Sequence, residues 1–243
     1  VKYFVYVILA LISACAGVQH AVADAPPVTT DRTVVLSGPI LQGNIFGLLP
    51  HIAKMAANNR EPINIIIDSP GGGVVDGSLF INELRALQGR DIKVRCYVVS
   101  MAASMAFQIL ANCTERYTLD RAVLLWHRVS ASGIQSLTGP QARTLAKDLS
   151  AIDGMILREL YAKLDMPKED VLYHLNVETL HFGENLARLA PEFISSFATI
   201  PGLVETFHDP KTPRMAKPRT FLDVLFDGSR TTEYMYIWRN AAK

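Results

Sequence analysis

Apolar positions in this chain alternate between short β-branched runs and stretches with helical spacing. Thr33–Leu36 is β-branched and is closed by Gly38 and Pro39, which predicts a first strand. From Gly43 to Asn59, Ile45, Leu48, Leu49, Ile52, Met55 and Ala56 recur at helical spacing, with Pro50 placed to kink or restart the helix. Ile63–Ile67 is a continuous β-branched run, as expected of a parallel strand buried on both faces. Asp76–Leu87 is amphipathic and predicts a helix; Ile92–Val99 predicts the next strand. Ala102–Asn112 is small and apolar, a buried helix, and Ala122–Trp126 is a further strand ending at His127. Ser130–Thr138 is a polar loop. Pro140–Leu164 is a long helical stretch with Leu145, Leu149, Ile152, Ile156 and Leu160 along one side. Pro167 starts a shorter helix to Tyr173. Strand followed by helix, repeated, predicts βαβ units around a largely parallel sheet: an α/β fold.

Composition narrows this picture. The 243 residues are 49% apolar and 19% charged, a globular balance long enough for one domain with tails. A formal charge of +1 argues against a nucleic-acid partner. The first residues differ from the rest. Lys2 precedes an apolar run, Tyr3 to Ala14, and Ala21-Val22-Ala23 precedes Asp24. These are the parts of a secretory signal peptide over residues 1–23, with an uncleaved anchor or a core helix as the alternatives. Ile12-Ser13-Ala14-Cys15 offers a competing lipobox, in which Cys15 carries the lipid. The expected location is therefore an exported compartment, a bacterial periplasm, with membrane contact only through Cys15 or an uncleaved signal. Residues 24–31 read as a linker, 32–204 as the domain, and the basic, proline-containing residues 205–243 as a tail.

Candidate chemistry gathers at two strand ends. Ile63–Ile67 runs into Asp68-Ser69-Pro70-Gly71-Gly72-Gly73, and Val98-Val99 runs into Ser100-Met101-Ala102-Ala103-Ser104-Met105-Ala106. A serine opening a helix sits among backbone N–H groups at the positive dipole end, and glycines let a ligand approach the backbone closely. That is the layout of a nucleophile beside a backbone oxyanion hole. No Gly-Lys-Ser/Thr follows the glycines, which disfavours a phosphate loop. His127 follows an apolar strand, where loops carry function, and imidazole suits proton shuttling near neutral pH. Ser104 alone would be read as a small residue for tight packing, and His127 alone as structural. His51, His174, His181 and His208 have no comparable context and read as surface or core residues.

Four motifs in order resemble the proteolytic subunit of the Clp protease, a serine peptidase of the ClpP/crotonase fold. They are Gly38-Pro39-Ile40, Asp68-Ser69-Pro70-Gly71-Gly72, Ser100-Met101-Ala102-Ala103-Ser104-Met105 and Leu125-Trp126-His127. The resemblance covers about residues 32–190. It departs from the family pattern at Ser100, where the family has Gly, and at Asp68, where it has Asn. It departs again at the third triad position, where the family has Asp. The corresponding segment here runs from Leu175 to Glu184 without an Asp, leaving Glu178 or Asn176 to orient the histidine.

The resemblance implies Ser104 as nucleophile, His127 as general base and Glu178 as third member. It implies an oxyanion hole from the N–H groups of Gly72 and Met105, with Gly71 and Gly73 shaping the substrate site. It also implies peptide hydrolysis through an acyl-enzyme without metal or cofactor, a peptide or unfolded-protein substrate, and a homo-oligomer built partly on the long helix Pro140–Leu164. Export argues against an ATP-driven unfoldase partner. Two other readings stand beside the peptidase: a non-catalytic binding or scaffolding protein of the same fold, and a crotonase-type acyl-CoA enzyme. If the strand Ile92–Val99 runs toward the site and the following helix runs back, Cys96 and Cys113 fall at one end, making them a candidate disulfide. Two buried free thiols are the alternative.

Overall fold

The computed structural model describes residues 25–131 and 136–215. Seven strands form one sheet: β1 Thr33–Ser37, β2 Ile63–Ser69, β3 Val94–Ala103, β4 Glu115–Leu119, β5 Val123–Leu125, β6 His181–Phe182 and β7 Ser195–Phe197. The path β1-β2-β3-β4-β7 is parallel throughout. Eight α-helices accompany it among the described residues: α1 Gln42–Ile45, α2 Leu49–Asn58, α3 Val74–Gln88, α4 Met105–Ala111, α5 Gly139–Lys163, α6 Lys168–Val177, α7 Gly183–Leu189 and α8 Leu203–His208. The α/β expectation with a largely parallel sheet holds. Pro50 restarts the predicted first helix as α2, where its missing N–H costs nothing.

Two apolar layers sandwich the sheet. On one side Leu36, Ile65, Ile67, Cys96 and Val98 pack beneath α2, α3 and α4, with Phe80, Leu84 and Phe107 filling the space. On the other side Val35, Ile66 and Tyr97 lie under Ala25, Val28, Ile200 and Leu203. This second layer corrects two expected boundaries. Residues 25–31, expected to be a linker, bury Ala25 and Val28, and the Val28 N–H donates to Pro201 O at 2.9 Å. Residues 205–215, expected to open a tail, instead complete α8 and run along β1. There Val35 N–H donates to Pro213 O (2.7 Å) and Met215 N–H to Val35 O (3.0 Å). An edge strand with unpaired N–H and C=O groups is thereby covered. The N-terminal segment expected to be a signal, with Cys15, lies outside the described residues, as do residues 216–243. Among the described residues no helix is long and apolar enough to cross a membrane.

β3 is the longest strand and has two partners along its length. Its first half pairs with β4 (Arg95↔Glu115 to Val98↔Thr118), and its second half with β5 (Met101↔Val123 to Ala103↔Leu125). A register shift against β2, between Ile67 and Ser69, separates the two halves. The first half carries the disulfide: Cys96 and Cys113 are bonded with their Cα atoms 6.0 Å apart. The second half delivers the candidate site.

Candidate active site

Strand register brings the predicted residues together. β2 pairs with β3 through Ser69↔Ala102, so the glycine loop after β2 meets the turn after β3. Leu125 of β5 pairs with Ala103, and Leu125 O accepts the Ser104 N–H at 2.9 Å, so the segment bearing His127 leaves the sheet beside Ser104. β6 then pairs antiparallel with β5 through Val123↔Phe182 and Leu124↔His181. Continued by three residues, that register sets Glu178 opposite His127.

Ser104 is the N-cap of α4 with φ 54° and ψ −122°, a conformation that costs a non-glycine residue about 1–3 kcal/mol. The surroundings hold it there. Its carbonyl accepts Phe107 N–H at 3.0 Å. Gly71, at φ 96°, lies so close that a Cβ there would stand 2.6 Å from both Ala103 O and Ser104 Cβ. Gly77 of α3 packs against the Met105 side chain with no room for a Cβ. A strand turning sharply through a strained serine into a helix leaves Ser104 half-buried at the C-terminal end of β3.

The glycine loop is fixed by its own hydrogen bonds. Ile40 N–H donates to Gly71 O (2.8 Å), Gly73 N–H to Ile40 O (2.9 Å) and Gly71 N–H to Ser69 Oγ (3.1 Å). The Ser69 hydroxyl donates in turn to Gly38 O at 2.6 Å. The N–H groups of Gly71 and Gly73, two residues expected to meet substrate, are therefore engaged inside the protein, where they shape the loop. Gly72 N–H and Met105 N–H make no hydrogen bond among the described residues. Met105 is the first residue of its helix, whose N–H has no acceptor within the helix. Two backbone donors, the pair expected of an oxyanion hole, are thus unengaged among the described residues.

Beside this rigid half stands a looser one. His127 Nδ1 lies 4.0 Å from Glu178 Oε1, with the histidine side chain 19% exposed and the glutamate 61%. Glu178 closes α6 in the left-handed region (φ 53°, ψ 49°), and its N–H donates to His174 O. Asn176, the other candidate for the third position, is engaged by a different residue: its Oδ1 accepts Arg128 Nε–H at 2.8 Å. No hydrogen bond joins Ser104 to His127 among the described residues. In unliganded enzymes such bonds are often long and tighten only with substrate.

Three features carried no signal in the sequence. Asp68 and Ser100, the two departures from the family motifs, are hydrogen-bonded to each other by a short Ser100 Oγ–H to Asp68 Oδ1 bond inside the register shift. His181, paired with Leu124 across β5 and β6, stacks on Trp126 (ring centroids 4.8 Å apart, 3° between planes) and meets His174 edge-on at 4.5 Å. Burial pushes the His181 pKa down to about 4, aided by His174, and His181 Nε2 has no hydrogen-bond partner among the described residues. Burial also lowers the pKa of His174, against an opposing pull from Asp170. Finally, Arg128 links Asn176 to Asp153 of α5.

A parallel α/β sheet whose third strand turns through a strained serine into a helix, beside a glycine loop, is the architecture of the ClpP/crotonase class. Within it the chain belongs to the Clp protease family, whose profile matches residues 19–180. The chain is 27% identical over 118 residues to the ATP-dependent Clp protease proteolytic subunit of Paracoccus denitrificans. That match covers 49% of this chain and 57% of the relative, so the chain spans little more than half the relative's length. Among the described residues no group of three or more His, Cys, Asp or Glu could hold a metal ion.

Proposed function

We propose that the chain is a serine peptidase that cleaves peptide bonds through an acyl-enzyme on Ser104. One observation carries the reading: the strained Ser104 turn sits against Gly71, with the Gly72 and Met105 N–H groups unengaged beside it. In the proposed cycle His127 takes the Ser104 hydroxyl proton as Oγ attacks the carbonyl carbon. The two N–H groups hold the resulting oxyanion, each donor stabilising it by about 3 kcal/mol. The C–N bond then breaks as His127 returns the proton to the leaving amine. Water, deprotonated by the same histidine, hydrolyses the ester. Glu178 orients the imidazole and stabilises its charged form.

The substrate we infer is an extended peptide or unfolded segment, bound by backbone pairing as an added strand. The half-exposed α5 is the proposed surface for a homo-oligomer. Only Ile156 and Leu160 of this helix are fully buried, which leaves Leu145 and Leu149 available to a second copy. The signal-like N-terminus and the Cys96–Cys113 pair favour an exported location, in which the peptidase works without an ATPase. Hydrolysis of unstructured casein by wild type, lost in both Ser104→Ala and His127→Ala, is the expected result. Equal turnover by wild type and Ser104→Ala would overturn the reading.

A further inference from the structure

The pairing of β5 with β6 ends at Leu124↔His181, three residues short of His127 and Glu178. No backbone ladder therefore holds the two side chains at their 4.0 Å separation, and Glu178 is largely in water. One side chain spans the gap. Arg128, the residue after His127, donates from Nε to Asn176 Oδ1 (2.8 Å), two residues before Glu178. Its Nη1 donates to Asp153 Oδ2 at 3.2 Å. The other Asp153 oxygen accepts Val129 N–H at 2.7 Å. The planar guanidinium thus fixes the segment leaving β5 to the end of α6, while Asp153, 16% exposed, anchors both its backbone and its side chain to α5.

We propose that Arg128 is a positioning residue that sets Glu178 against His127. The proposal rests on the serine-peptidase reading above and adds a residue to it. Arg128 acts through geometry, not through fold stability, because its side chain is 52% exposed and partly exposed charge contacts stabilise a fold little. A small misplacement of an orienting group is enough to slow proton transfer strongly.

The test is the rate at which a fluorophosphonate modifies Ser104, with the thermal midpoint measured in parallel. Arg128→Ala is expected to react about tenfold more slowly than wild type with its midpoint almost unmoved. Arg128→Lys, which keeps one donor, recovers part of the rate, and Asn176→Ala matches Arg128→Ala. The decisive comparison is with Glu178→Ala: adding Arg128→Ala to it has no further effect, because the residue it positions is gone. Three results overturn the proposal: an unchanged rate in Arg128→Ala, a penalty that multiplies with that of Glu178→Ala, or a rate loss that tracks a fall in midpoint. A wild-type protein that does not react at all removes the peptidase reading, and this inference with it.

Discussion

The two halves of the candidate site are built differently. The half that would hold the oxyanion is made of backbone: Gly71 and Ser104 are held by hydrogen bonds to Ile40, Ser69 and Leu125, and Gly72 and Met105 by contacts that leave no room for a Cβ at Gly72 or Gly77. The half that would move the proton is made of side chains. His127 and Glu178 stand 4.0 Å apart, and Arg128 holds their segments together at the surface. Charge development in a transition state is met best by donors already in place, because none then has to reorganise. A base and its orienting carboxylate tolerate adjustment, since they tighten when substrate arrives. The contrast predicts that backbone changes in the first half destroy the site, while changes in the second half grade it.

The largest effect is expected from Gly71→Ala. Its Cβ would collide with Ala103 O and Ser104, and its φ of 96° disfavours any L side chain. Overpacking and backbone strain together should cost about 4 kcal/mol by chemical denaturation, with loss of Ser104 reactivity. A folded, reactive Gly71→Ala protein would break the comparison.

Acid should act next, through His181 of β6. The His181 pKa falls from 6.5 to about 4 on folding, so the unfolded chain binds the extra proton first. Stability is full above pH 6.5 and is lost as pH falls through that value, reaching a penalty of about 3 kcal/mol near pH 4. Thermal midpoints measured against pH should show this slope in wild type. It should be flattened in His181→Phe, which keeps the stack on Trp126 and cannot be protonated.

The far end of β3 supplies the control. Replacing Cys96 and Cys113 together by alanine opens a loop with a sequence separation of 17 and should cost about 3 kcal/mol. Ser104 reactivity in the folded variant should be unchanged. Unreduced wild type should correspondingly show neither thiol after unfolding. The smallest effect is expected from Ser100→Ala, which removes the bond to Asp68. A loss of about 1 kcal/mol, with a modest fall in reactivity, is predicted because that bond spans the register shift feeding Ser104.

Sequence pattern made the first half legible and the second only in part. The β-branched run of β2, the glycines after it and the serine opening α4 are local signals, and each reports the backbone geometry it needs. β4 carried no apolar rhythm, because Glu115 answers Lys93 and Arg95 across the sheet through ion pairs of 2.8 and 2.7 Å. β7 has three residues and pairs only through β4. Residues 25–31 and 205–215 looked like linker and tail because their partners lie far away in the chain, as Val28 and Pro201 do. The sequence ranks Glu178 above Asn176 only by its charge; that Glu178 stands 4.0 Å from His127 depends on the register of β6, a strand two residues long. Arg128 gave no signal, since nothing in sequence marks which exposed arginine bridges two segments. Asp68 and Ser100 looked like separate departures and prove to be one contact.

The central claim is that Ser104 is an activated nucleophile. Its most direct test is intact and peptide mass spectrometry after exposure of residues 24–243 to a fluorophosphonate, beside Ser104→Ala and His127→Ala. The account predicts one adduct per chain, mapped to Ser104, absent in Ser104→Ala and strongly slowed in His127→Ala. A folded protein that stays unmodified, or is modified equally in Ser104→Ala, would contradict it and leave a fold that binds without catalysing.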